Sequence, residues 1–191
     1  MEIINQTFNW TGNLTPRTKT KYIVLHHRAG NGDVMSIHKD HQVNRGWLGI
    51  GYHFYIRKDG RIYCGRPVEM VGAHSPDANN ISVGVCFEGN FEKETMNNAQ
   101  KKAGQQLIYY LRSLYPGVSI KKHNDFEQTA CPGKNFPFEE IKEGETMTVE
   151  KAIRIIKEKA GLESGTINFL LCYKYGEELL VKLAKAMNGQ R

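Results

Sequence analysis

Lys21-Tyr22-Ile23-Val24-Leu25-His26-His27 is an apolar run of strand length that ends on two histidines. It reads as a β-strand over about residues 20–26, and further strands read at about 51–57, 61–64, 82–88 and 118–122. Asp59-Gly60 between two of these runs is a hairpin signal. Val34 to Val43 reads as a helix. Met96 to Tyr115 reads as another, with Ala99, Ala103, Leu107, Tyr110, Leu111 and Leu114 at helical spacing before Pro116-Gly117. The expected class is α/β, a mixed central β-sheet flanked by helices. Its cleft is expected at the strand ends and on the loop from Lys122 to Lys134.

Three side chains near those ends suit a metal. Cys131 precedes Pro132 and follows His123 by eight positions, and His26 closes the first strand. Zinc held by mixed nitrogen and sulfur donors, with one position open, makes water a nucleophile at neutral pH. Spacing alone does not establish the site, because about a hundred positions separate His26 from His123. Only a folded core brings them together.

The surroundings of these residues carry more. In order they are Val24-Leu25-His26-His27, Gly51-Tyr52-His53-Phe54, Val71-Gly72-Ala73-His74, Ile81-Ser82-Val83-Gly84-Val85-Cys86 and Thr129-Ala130-Cys131-Pro132-Gly133. This order resembles the zinc-dependent N-acetylmuramoyl-L-alanine amidases, within them the group of the T7-type phage lysozyme and the peptidoglycan recognition proteins. It covers about residues 20 to 142. The resemblance implies Zn2+ as cofactor, His26, His123 and Cys131 as its ligands, and Tyr52 as a catalytic residue. It implies cleavage of the amide between the lactyl group of N-acetylmuramic acid and L-alanine, with peptidoglycan as partner. Recognition relatives that do not hydrolyse typically lack the cysteine ligand, so Cys131 argues for an enzyme over a binding module. The T7-type enzyme has a lysine two residues before its cysteine, and Thr129 stands there in this chain. Thr129 is read as a second oxyanion donor beside Tyr52. Some relatives place a glutamate base where this chain has Cys86. Glu88, two residues on and on the same strand face, is the substitute candidate.

The remaining polar residues have plainer readings beside the functional ones. His38 and His41 on the first helix read as structural. His27 points away from His26 by strand alternation, and reads as packing. His74 occupies a loop that lines the peptide cleft in similar proteins and is read as substrate-binding. His53 is read as supporting the site or the core. Arg66 has the guanidinium to pair with a peptide carboxylate, with an ordinary turn arginine as the equal alternative. Asn80, ahead of the strand at Ile81, is a groove candidate whose plainer reading is a turn residue.

Composition is that of an ordinary globular chain: 191 residues, 40% hydrophobic and 24% charged. Cys64, Cys86, Cys131 and Cys172 are unevenly spaced, which argues for reduced thiols over a disulfide framework. The start, Met1 to Gln6, shows no signal-peptide pattern, and no stretch is long enough to span a bilayer. The expectation is synthesis in the cytoplasm and action on the wall after release, as for an endolysin; an enzyme recycling wall fragments inside the cell fits the same observation. The domain reading is 1–144 catalytic and 145–191 a helical module. In that module Thr148 caps a helix carrying Ala152, Ile155 and Ile156, Gly161 and Gly165 punctuate the next, and Glu178 to Met187 forms a third. The module is read as wall-binding or as pairing two chains into a homo-dimer. The net charge of +6 suits anionic wall polymers. Nucleic acid is not expected, since acidic residues run through the helical tail.

Overall fold

Strand β2 (Tyr22–His27) is paired on both sides, which explains its unbroken apolar run. The computed structural model describes residues 1–144 and 148–187. The other strands are β1 (Ile3–Ile4), β3 (Phe54–Ile56), β4 (Ile62–Cys64), β5 (Ser82–Phe87) and β6 (Ser119–Lys122). They form one mixed sheet in the order β1-β4-β3-β5-β2-β6. The β3–β4 hairpin is its antiparallel pair, turned at Asp59-Gly60 with Gly60 at φ +84°. The remaining pairs are parallel.

Alternation along the strands sorts two cores. Ile23 and Leu25 of β2, with Val83, Val85 and Phe87 of β5, pack against helix α2 (Asn98–Leu114) through Ala103, Leu107, Ile108 and Leu111. Ile141 of the short helix α3 (Phe138–Glu143) joins the same cluster. Full burial of side chains of this size contributes about 1.5–3 kcal/mol each. On the other face, Tyr55, Tyr63 and Cys86 pack against Val34 and Ile37 of helix α1 (Val34–Val43). His26 lies on this second face, register partner of Cys86.

The strand expected over 51–57 is shorter in the structure. Residues 51–53 make their backbone bonds outside any ladder: Gly51 N–H donates to His41 Nδ1, and His53 N–H to the Gly84 carbonyl. A Cβ at Gly51 would clash with the Ala73 carbonyl oxygen, so the segment approaches its neighbour more closely than any residue with a side chain could.

The chain divides into two compact units, Met1–Gly144 and Glu145–Arg191. The second comprises α4 (Val149–Ala160), α5 (Ser164–Leu171) and α6 (Gly176–Met187). Thr148 caps α4 by accepting from Lys151 N–H, and Gly161 ends it in the left-handed conformation. Gly165 lies inside the first turn of α5 and does not interrupt it. Ile155, Ile156, Ile167, Leu180 and Ala184 are buried, while Phe169, Tyr173, Tyr175 and Leu179 are exposed. Among the described residues, no helix is long and apolar enough to cross a membrane.

Candidate active site

Parallel neighbours β2 and β6 end side by side, and crevices at the carboxyl ends of such strands are where α/β sheets hold ligands. His26 comes from the end of β2. His123 opens a 3-10 turn (His123–Asp125) directly after β6, and Cys131 comes from the loop that follows. The donor atoms of these three residues all lie within 4.8 Å of one another. Cys131 Sγ is 3.9 Å from His26 Nδ1, and the rings of His26 and His123 are 4.4 Å apart between centroids.

Burial sets their protonation. The imidazole of His26 has no exposed surface, and burial, with His123 beside it, pulls its pKa well below the ordinary value. His123 shifts the same way for the same first cause. Both rings are therefore neutral, with lone pairs available to an electrophile. Burial pushes the Cys131 thiol up to about 12, opposed by the His27 N–H that donates to Sγ at 3.3 Å. A cation between the three would reverse that shift.

The group borders an open cleft of about 570 Å³. Tyr52 lines it, its ring 5.2 Å from that of His26, and burial raises its phenol further above 10. Thr129 lines it too; its Oγ1 accepts from Cys131 N–H, which leaves its own O–H to donate. His74 borders the same space but is itself buried, with its Nδ1 3.0 Å from His26 Nε2.

Three candidates are not brought to the cleft. Glu88 lies just past β5, on the face expected, but it does not line the cleft. Its carboxylate accepts from Gly32 N–H and Lys58 N–H and pairs with Arg57, holding loops together. Arg66 is buried and does not line the cleft: its guanidinium donates from Nε to the Ile50 carbonyl and from Nη1 to the Val71 carbonyl, and stands over the Trp10 ring. Asn80 is exposed, and the groove residue is its neighbour Asn79, whose Oδ1 accepts from His74 N–H and Ser75 N–H. Nothing in the pair Asn79-Asn80 signals which one turns inward.

Sequence reasoning also missed Arg28, Arg45, Trp47 and Glu127, which line the cleft. Arg28 and Arg45 share Asp40 at 3.6 and 3.9 Å, leaving that end net positive, and Arg45 stands over Trp47. Glu127 holds the opposite sign, accepting from Ser75 and Asp77. The Glu127 contacts join segments about fifty positions apart, which spacing cannot reveal, whereas Arg45 reaches partners only five and two positions away.

The other histidines are fixed by the backbone. Phe91, Ile50, Gly51 and Gly84 N–H groups donate to Nδ1 of His27, His38, His41 and His53 respectively. Each is thereby an acceptor in the fold and none belongs to the three-donor group.

Comparison with known proteins gives a consistent picture. The family described as N-acetylmuramoyl-L-alanine amidase matches residues 16–134. The endolysin of Klebsiella phage KP32 is 34% identical over 130 residues, 62% of this chain and 83% of that protein. Among solved structures, the N-acetylmuramoyl-L-alanine amidase LysC from Clostridium intestinale is similar at a TM-score of 0.72 and 43% identity, over 74% of this chain and 95% of that one. Peptidoglycan recognition protein-LE, solved in complex with tracheal cytotoxin, a monomeric diaminopimelic acid-type peptidoglycan, is similar at 0.66 and 27% identity, over 73% and 91%.

Proposed function

This chain belongs to the N-acetylmuramoyl-L-alanine amidase family, and from that premise we propose that it is a peptidoglycan hydrolase of the endolysin type, with zinc held by His26, His123 and Cys131. The bond cut is the amide between the lactyl group of N-acetylmuramic acid and L-alanine. The observation that carries the reading is the donor group itself: two neutral imidazoles and one thiol within 4.8 Å at the edge of a cleft. Mixed nitrogen and sulfur donors suit zinc. Tetrahedral zinc, with bonds of about 2.0–2.1 Å to nitrogen and 2.3 Å to sulfur, separates such a pair by about 3.6 Å. The observed 3.9 Å between His26 Nδ1 and Cys131 Sγ is close to that.

Bound zinc supplies a Lewis acid and a route to a nucleophile from water at neutral pH. The protein's own part begins at Tyr52. Its phenol stays protonated throughout the neutral range, and as a donor lining the cleft beside His26 it would stabilise the charge that develops on the scissile carbonyl oxygen. Thr129 O–H is a second donor on the same cleft. Glu88 is committed to Arg57 and Lys58, so the proton for the departing amine comes from a group that lines the cleft instead. The net charge of +6 supports adhesion to anionic wall polymers.

Digestion of purified Gram-positive peptidoglycan tests the reading, scoring new alanine amino groups against new reducing sugar ends. Alanine amines without reducing ends are expected. Reducing ends without amines would move the scissile bond to the glycan, and binding with neither product would make the chain a receptor.

A further inference from the structure

His74 was a substrate-binding candidate by its motif, yet the residue is only 6% exposed where it borders the cleft. Two glycines make that position possible. A Cβ at Gly72 or at Gly84 would stand 2.5 Å from His74 Cδ2, so both must stay bare for the ring to fit. Asn79 Oδ1 holds the His74 backbone N–H at 2.8 Å, and the His53 ring closes the cage edge-on at 5.6 Å.

Proton positions along this cage follow from its far end. Ser82 Oγ donates to the Ala78 carbonyl at 2.7 Å, a group that can only accept. The Ser82 oxygen is then free to accept, and its neighbour at 3.4 Å is His74 Nε2. Nε2 therefore carries the proton of a neutral His74, and Nδ1 is bare. At 3.0 Å from that lone pair lies His26 Nε2, which must donate. A neutral His26 protonated at Nε2 has its lone pair on Nδ1, the nitrogen 3.9 Å from Cys131 Sγ.

We propose that His74 is a positioning residue: through the chain Ala78 carbonyl, Ser82 hydroxyl, His74 imidazole, it locks His26 in the tautomer and ring orientation that present Nδ1 to the metal. Metal-bound histidines commonly donate their second N–H to a carboxylate or carbonyl, and loss of that partner typically costs about 10–100-fold in metal affinity. Here a second imidazole takes that place, and its own acceptor is supplied by the start of β5. The inference rests on the reading of His26, His123 and Cys131 as a zinc site.

The test compares zinc affinity, by competition with a chromophoric chelator, in the wild type, H74L, H74N and S82A, each checked for folding by circular dichroism. H74L is expected to bind zinc about 10–100-fold more weakly. H74N keeps an acceptor near the Nδ1 position, and affinity is expected to recover to within a few-fold of wild type. S82A is expected to weaken binding by less than H74L. Long-range 15N–1H correlation spectra of the metal-free wild type provide a second readout that needs no variant to fold. They are expected to show His26 and His74 both protonated at Nε2. Wild-type zinc affinity in H74L together with a raised KM would overturn the proposal and return His74 to the substrate, as would a spectrum with the proton of His74 on Nδ1. A wild type that binds no zinc would overturn the zinc reading instead, while the spectrum still reports on the hydrogen-bond chain.

Discussion

Tyr52 Oη is a donor that the fold keeps protonated, and removal of one preorganised oxyanion donor costs about 10²–10³ in kcat. Tyr52→Phe is therefore expected to lower kcat by that order while zinc content, measured by atomic emission, stays at the wild-type value; an unchanged kcat would take Tyr52 out of the chemistry. The buried histidines make a separate prediction about acid. Burial, with Arg17 and Arg66 nearby, draws His53 down to about 3, and burial, with Arg45, draws His41 down to about 4. In the unfolded chain both titrate near 6.5, so below that pH the unfolded state binds more protons and is favoured. Stability is thus fully present above about pH 7. It falls as pH drops from 6.5 towards 4, by up to about 1.4 kcal/mol per unit for each histidine. Urea midpoints at pH 7.5, 6 and 5 measure this, and His53→Asn is expected to remove about one proton from the slope; a midpoint flat across that range would contradict the assignment. The group of His26, His123 and Cys131 was legible because the motif chemistry is tied to residue type. Glu88, Arg66 and Asn80 were not, because their roles depend on which backbone groups from distant segments reach them.

Periodicity made the longer elements readable. The bounds of α1 coincide with the expected ones; of the stripe expected on α2, Ala103, Leu107 and Leu111 are buried, whereas Ala99, Tyr110 and Leu114 are exposed. Strand β1, two residues long, and α3, six residues long, are too short to carry a period, and both were missed. The strand expected over 51–57 was overestimated because Gly51 packs against the Ala73 backbone, Tyr52 lines the cleft and His53 takes the Gly84 N–H on its ring. Glycines within these elements are where the sequence records packing that side chains do not. Gly84, in the middle of β5, faces the His74 ring, and an added methyl overpacks it. Gly84→Ala is expected to destabilise unit Met1–Gly144 by about 1–3 kcal/mol, read by urea unfolding. Wild-type stability in that variant would show that the His74 cage yields.

Both hydrophobic clusters of the sheet and all residues lining the cleft fall within residues 1–144. A chain ending at Gly144 is therefore expected to unfold cooperatively and to release alanine amines from soluble muropeptides within about twofold of the full chain. The helical unit exposes Phe169, Tyr173, Tyr175 and Leu179, and the reading of this unit as wall-binding makes a prediction. Pelleting with intact walls is expected to fall on truncation, with both forms monomeric in sedimentation velocity; a dimer lost on truncation would assign the helices to pairing instead. The account as a whole stands on the zinc group. The direct measurement is titration of the metal-free full chain with zinc, following bound metal and alanine amine release from peptidoglycan together. The account predicts no release without metal and release that rises in proportion to zinc up to one equivalent. Release by the metal-free chain, or one zinc bound with no release at all, would contradict it.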